Sequence, residues 1–162
     1  MNRSLLAVFA LVGAMFGQES PKVPTSAPLK EYSYSSDGFA IKFPYAPEPH
    51  TDAVNPDFKV WTVHLGQQAA ISIRRKVDSE PCDVALDKLK SMAKDQKVPI
   101  REFSVSGRPA WEEKERLRGD MMLLERYVCG VGRYYVLSFV WPASESRPQL
   151  GVEMMDSFRL VK

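Results

Sequence analysis

Residues 121–141 constrain the fold more than any other stretch of this chain. Two extended runs, 121–129 and 133–141, flank the tight connection Gly130-Val131-Gly132. In the second run Tyr135, Leu137, Phe139 and Trp141 share one face, and Tyr134, Val136 and Val140 share the other. A strand with one wet face alternates apolar with polar residues. Apolar groups on both faces mean a strand covered on both sides. The pair reads as a long antiparallel hairpin holding one central strand, and the rest of the chain must supply layers above and below it.

The remaining periodicities supply them. Phe39, Ile41 and Phe43 alternate after the turn Asp37-Gly38, and Pro44 stops this short strand. Pro44, Pro47, Pro49 and Pro56 mark a loop. Residues 58–65 and 69–77 are β-branched and aromatic runs on either side of Gly66-Gln67, and they read as a hairpin. The period then changes. Ser79-Glu80-Pro81 is a helix opening, and Ala85, Leu86, Leu89, Met92 and Ala93 recur at helical spacing until Pro99. Period two returns with Phe103 and Val105, the turn Ser106-Gly107, a strand over 109–117 with Trp111, and the turn Gly119-Asp120. After Pro142 a second helix is expected within 146–157, with Leu150, Met154 and Phe158 on one stripe; 158–161 form a closing strand or an extended tail. The fold class is α+β: a mainly antiparallel sheet of about six to seven strands with helices packed on its faces.

The beginning of the chain has a different character. Arg3 precedes residues 5–16, which carry no charge, and Gly17-Gln18-Glu19-Ser20-Pro21 ends the apolar run. This order reads as a secretory signal peptide over residues 1–17. Crossing ~30 Å of hydrocarbon takes about 20 apolar residues, so the run is short for an anchor helix. Both Ala14 and Gly17 offer small residues for cleavage. Residues 18–31, with Pro21, Pro24 and Pro28, read as a solvated linker, and 32–162 as a single domain. The expectation is an exported protein, periplasmic or secreted, with no transmembrane span in the mature form.

Charges nearly cancel, with 22 Lys+Arg against 20 Asp+Glu. Nucleic-acid binding normally comes with a basic surplus, so no nucleic-acid partner is expected. Cys82 and Cys129 form a candidate disulfide in an oxidising compartment, worth roughly 3–4 kcal/mol by loop-closure arithmetic. Two buried free thiols are the alternative.

The chemistry-bearing residues do not converge on a motif. No Gly-x-Ser-x-Gly elbow is present. His50 and His64 are the only imidazoles, and neither has a second ligand at metal-binding spacing. Cys82 sits where a helix N-terminus lowers a thiol pKa, but no Cys-x-x-Cys accompanies it and Asp83 opposes the shift. Glu112, Glu113 and Glu115 read as a solvated strand edge, and Arg74-Arg75-Lys76 as a strand end or a weak patch for anions. Trp61, Trp111, Trp141, Tyr134 and Tyr135 either pack in the core or line a cleft or partner-binding face. No catalytic, cofactor-binding or metal-binding residue is assigned, and no cofactor is expected.

The segments DGFAIKFP, FSVSGRPAWE, RYVCGVGRYYVLSF and MDSFRLV resemble the Mog1/PsbP-like α/β/α sandwich group over nearly the whole of 32–162. That group is known for binding and assembly roles, such as photosystem extrinsic subunits and a small-GTPase partner, and it shares no catalytic residues. The resemblance implies an exported, non-catalytic binding or assembly module of the bacterial cell envelope, acting on a protein partner. The alternative is a small-ligand carrier or an enzyme with a cleft near the sheet. It requires a pocket that gathers at least two of Cys82, Cys129, His64 and the acidic side chains.

Overall fold

The computed structural model describes residues 27–66, 69–77 and 80–162, with the side chains of 115–117 left aside. The expected signal peptide, and the linker up to residue 26, lie outside the described residues. The strands are β1 (Lys30–Tyr34), β2 (Phe39–Phe43), β3 (His50–Thr51), β4 (Phe58–Leu65), β5 (Ala69–Val77), β6 (Ile100–Val105), β7 (Arg108–Arg118), β8 (Met121–Cys129), β9 (Arg133–Pro142) and β10 (Arg159–Leu160). The helix α1 (Cys82–Asp95) separates β5 from β6, and α2 (Gln149–Asp156) separates β9 from β10.

The class is α+β, and every strand pair is antiparallel. Seven strands form the main sheet in the order β3-β4-β5-β9-β8-β7-β6, which puts β9 in the middle. This is the strand whose two faces are both apolar. A separate three-stranded sheet, β1-β2-β10, gathers the two ends of the domain around β2.

Three features depart from the sequence expectation. β1 begins at Lys30, inside the expected linker, and Ala27 and Leu29 pack against the larger core. The two-residue strand β3 lies in the proline loop, paired with Lys59 and Val60 of β4. HT is too short to carry a pattern, and KEYSY offers only Tyr32 and Tyr34, which alternate and pack on the larger core. The main helix opens at Cys82 with Pro81 at its N-cap and no side-chain capping bond, and Met92 of its expected stripe is exposed.

Two cores flank the main sheet. The larger lies between that sheet and the layer made by α2 and the small sheet. Trp61, Ile71, Ile73, Tyr135, Leu137, Phe139 and Trp141 face Phe39, Ile41, Phe43, Met154 and Met155 there. Gly151 lets α2 settle onto the ring of Phe139, where a Cβ would overlap the ring carbons. The smaller core lies under α1, whose Cys82, Ala85, Leu86 and Ala93 cover Trp111, Tyr127, Cys129, Tyr134 and Val136. Cys82 and Cys129 are joined as a disulfide, 47 positions apart with their Cα atoms 5.6 Å apart. The bridge pins the first turn of α1 to the end of β8. Among the described residues no helix is long and apolar enough to cross a membrane.

Candidate functional site

Strand alternation sorts the polar side chains of the main sheet into two clusters. On the α1 side, the register places Thr62, Ser72, Ser138, Glu125 and Glu113 in one row across β4, β5, β9, β8 and β7. Glu125 is 3% exposed and sits at the centre of a closed network. Its Oε1 accepts from Arg74 Nη2 at 2.9 Å and from Ser138 Oγ at 2.8 Å, and Arg74 Nη2 also donates to Ser138 at 3.0 Å. Its Oε2 accepts from the Tyr127 hydroxyl at 2.9 Å. Burial, reinforced by the charges of Glu125 and Glu113, pushes the Tyr127 phenol well above its ordinary value, so it stays a donor. The only imidazole on this face, His64, lies at the far end of β4, and burial lowers its pKa. Ser138 is therefore held by an arginine and a carboxylate with no imidazole base in the network, which suits a structural network and not an activated nucleophile.

The second cluster lies on the opposite side, where the small sheet turns over the ends of β4, β5 and β9. Ser35–Asp37 form one turn of 3-10 helix, closed by Gly38 at φ 78°. The left-handed conformation favours glycine, and a Cβ here would also approach Tyr135 Oη to 2.7 Å. The Tyr135 hydroxyl donates to the Asp37 carbonyl at 2.7 Å, which fixes the turn on the sheet. The Asp37 carboxylate, in a residue 5% exposed, then meets Lys59 Nζ at 2.8 Å and Arg75 Nε at 3.4 Å. Lys59 and Arg75 are direct cross-strand partners, and Arg75 is in turn opposite Tyr135. Arg133 completes the group. Its Nη1 donates to Ser36 O at 3.1 Å and its Nε to Val131 O at 3.4 Å. Two cations thus pair with one buried carboxylate, and a third lies beside them on the backbone of the turn. Burial raises the Tyr135 pKa, and Arg133 and Arg75 partly oppose the rise.

The other candidate residues are placed as follows. Arg74-Arg75-Lys76 is split by alternation: Arg75 joins Asp37, Arg74 joins Glu125, and Lys76 faces Asp57 at 3.7 Å. Glu112 is no solvated edge group, because it accepts from Arg101 and from Arg126, and Arg126 also reaches Asp156 and the Met155 carbonyl of α2. Glu113 is buried as well. Asp52 caps its own turn by accepting from the amides of Val54 and Asn55 at 2.8 and 2.9 Å. His50 stays exposed on β3.

Of the two readings of the aromatics, core packing holds and the cleft or partner-binding face does not. Trp61, Trp111, Trp141, Tyr134 and Tyr135 are all buried, because the sheet is covered on both faces. The exposed apolar residues are instead aliphatic: Val131 at 73% and Val77 at 58% are the most open of the large hydrophobics described. An open cleft of about 590 Å³ between Leu29, Lys42 and the end of α2 contains neither cysteine nor His64, and its two acidic side chains are Glu153 and Asp156. Among the described residues no group of three or more His, Cys, Asp or Glu is arranged to hold a metal ion.

Sequence reasoning missed Asp37, Lys59 and Arg133 because they come from separate segments and meet only through strand register. The one available signal was positional: a lysine and an arginine facing each other inside a hairpin whose apolar residues are otherwise regular.

No protein-family model and no curated protein matches this sequence. Among solved structures, the solution structure of cyanobacterial PsbP (CyanoP) from Synechocystis aligns at a TM-score of 0.56 with 13% identity, covering 90% of this chain and 99% of that one. A crystal structure from Bacteroides thetaiotaomicron aligns at 0.50 with 14% identity, covering 82% of this chain and 48% of that chain. The α+β architecture is therefore a PsbP-like fold.

Proposed function

We propose that this chain is an exported, non-catalytic binding or assembly module of a bacterial cell envelope that recognises a protein partner, as a bacterial member of the Mog1/PsbP-like group. The likeness to CyanoP over 90% of the chain is the observation that carries the reading. Fold alone does not assign function, so the side chains must be compatible with it. They are: both carboxylate oxygens of Glu125 are occupied by hydrogen bonds from within the sheet, and the surplus charge and exposed valines lie together at one end of it. The apolar leader and the Cys82–Cys129 bridge support an oxidising, exported location.

The test is to express the chain with a C-terminal tag in a bacterial host that exports it, determine the mature N-terminus by mass spectrometry, and crosslink the protein in its envelope. A leaderless, exported protein that crosslinks saturably to one protein supports the reading. Retention of residues 1–17 in the cytoplasmic fraction, or no recovery above a mock-tag control, overturns it.

A further inference from the structure

We propose that the end of the main sheet formed by Lys59, Arg75, Arg133, Val77 and Val131 docks an acidic, partly apolar extended segment of the protein partner. The inference rests on the binding-module reading and names the surface and the chemistry of its ligand.

Charge is the first observation. Lys59 and Arg75 are cross-strand neighbours, an arrangement that repels unless an anion lies between them. Asp37 supplies one negative charge for both. Arg133 lies beside them with backbone carbonyls of Ser36 and Val131 as its hydrogen-bond partners. Among the described residues the cluster therefore carries two positive charges beyond its own carboxylate. Arginine forks match carboxylate geometry in a bidentate way, and Arg75 meets Asp37 only as an ion pair at 3.4 Å.

Apolar surface is the second. Val77 is the Cα partner of Arg133, and Val131 is two residues before Arg133 in the β8–β9 turn. The two most exposed large hydrophobics described are thus neighbours of Arg133, one across the strand pair and one along the chain. Scattered single valines need no explanation, but these two share one cation and one end of the sheet.

Extent decides between ligands. The cations span β4, β5 and β9, two strand spacings or roughly 10 Å. One inorganic anion does not bridge that width. An extended segment with carboxylates on alternate residues does, and its intervening apolar side chains meet the valines. Lys76 and Arg74 point to the other face of β5 and contribute nothing here.

The probe is a fluorescein-labelled octapeptide alternating glutamate and valine, compared by anisotropy with its glutamine–valine counterpart and with inorganic phosphate as competitor, on the oxidised protein. The expected result is binding of the acidic peptide that weakens as salt rises. Arg133→Glu lowers affinity about tenfold, Val131→Ser about threefold, and Lys94→Gln on the exposed side of α1 leaves it unchanged. Val131→Ser keeps the backbone carbonyl used by Arg133 and reports on the surface even if Arg133→Glu disturbs the fold. Equal binding of the glutamine peptide, equal effects of all three variants, or displacement by phosphate as effective as by the peptide overturns the proposal. An envelope crosslink that survives Arg133→Glu unchanged also overturns it and leaves the module reading intact, whereas loss of every crosslink to the wild-type protein overturns that reading first.

Discussion

Gly151 lies directly on the phenyl ring of Phe139, with no room for a side chain between α2 and β9. Phe139 is fully buried in the central strand, so the ring cannot swing away. Alanine at 151 gains up to ~1 kcal/mol of helix propensity. Overpacking costs about 1–3 kcal/mol, and at a rigid site the upper part of that range applies. Gly151→Ala is therefore expected to lower stability by roughly 1–2 kcal/mol net in urea unfolding. Adding Phe139→Leu should return part of the loss relative to Phe139→Leu alone. A stabilised Gly151→Ala protein would falsify this reading of the contact.

The Arg74–Glu125 pair makes a second prediction. Glu125→Gln leaves a nearly buried guanidinium facing a neutral amide, and breaking one partner of a buried pair costs about 3–5 kcal/mol. The Arg74 side chain is 14% exposed, so water relieves part of the cost, and about 2–3 kcal/mol is expected. Arg74→Met combined with Glu125→Gln should cost clearly less than the two single changes added together. Strict additivity in a double-mutant cycle would show that the two side chains do not act as a pair.

The disulfide predicts a local effect. Replacing Cys82 and Cys129 by serine and alanine removes the loop constraint, worth roughly 3–4 kcal/mol. Amide exchange should quicken first in α1, which holds only a small core, while β4, β5 and β9 stay protected. Uniform acceleration over the whole sheet would contradict the separation into two cores.

Stability should fall at both ends of the pH scale, for opposite reasons. Burial raises Tyr127, and it raises Tyr34 to about 12. The unfolded chain releases these protons near pH 10 while the folded chain still holds them. Stability present below pH ~10 is therefore lost as pH rises toward the folded-state values. His64 is shifted downward by burial, so the unfolded imidazole takes a proton first as pH drops below ~6.5. Stability present above that point declines toward the lower folded-state value. Tyr127→Phe should flatten the alkaline limb and His64→Gln the acidic one, each read from denaturant midpoints across pH. Unchanged limbs would place the titrating groups elsewhere.

The bounds of β4 and β5, and the central position of β9, were legible because one or both faces of these strands announce themselves as apolar. β1 and β3 were not, since two tyrosines alternating behind Lys30 and Glu31 are too short a pattern to mark a strand without β2 beside it. The division into two sheets was also hidden. It depends on Arg159 and Leu160 returning to Ala40 and Phe39, a contact between the two ends of the domain. For the site, the charge of Arg74-Arg75-Lys76 is legible, and strand alternation divides it between two faces. Lys59, Asp37 and Arg133 carry no local pattern that marks them as neighbours. The tryptophans were ambiguous in sequence because an alternating aromatic position looks the same under a helix as under solvent.

The small sheet gives the domain a mechanical character. β1 and β10 flank β2 and both run antiparallel to it, so they run parallel to each other. The chain enters at Lys30, opposite Phe43, and leaves past Leu160, where the Val161 amide bonds to Gly38 at the other end of β2. Tension applied at Lys30 and Val161 therefore slides β1 and β10 lengthwise along β2 in opposite directions. The ladder bonds are loaded together instead of one after another. A domain that docks at one end and is pulled from the other would resist as a clamp, its lifetime under load set by the rate of a shearing step and not by equilibrium stability.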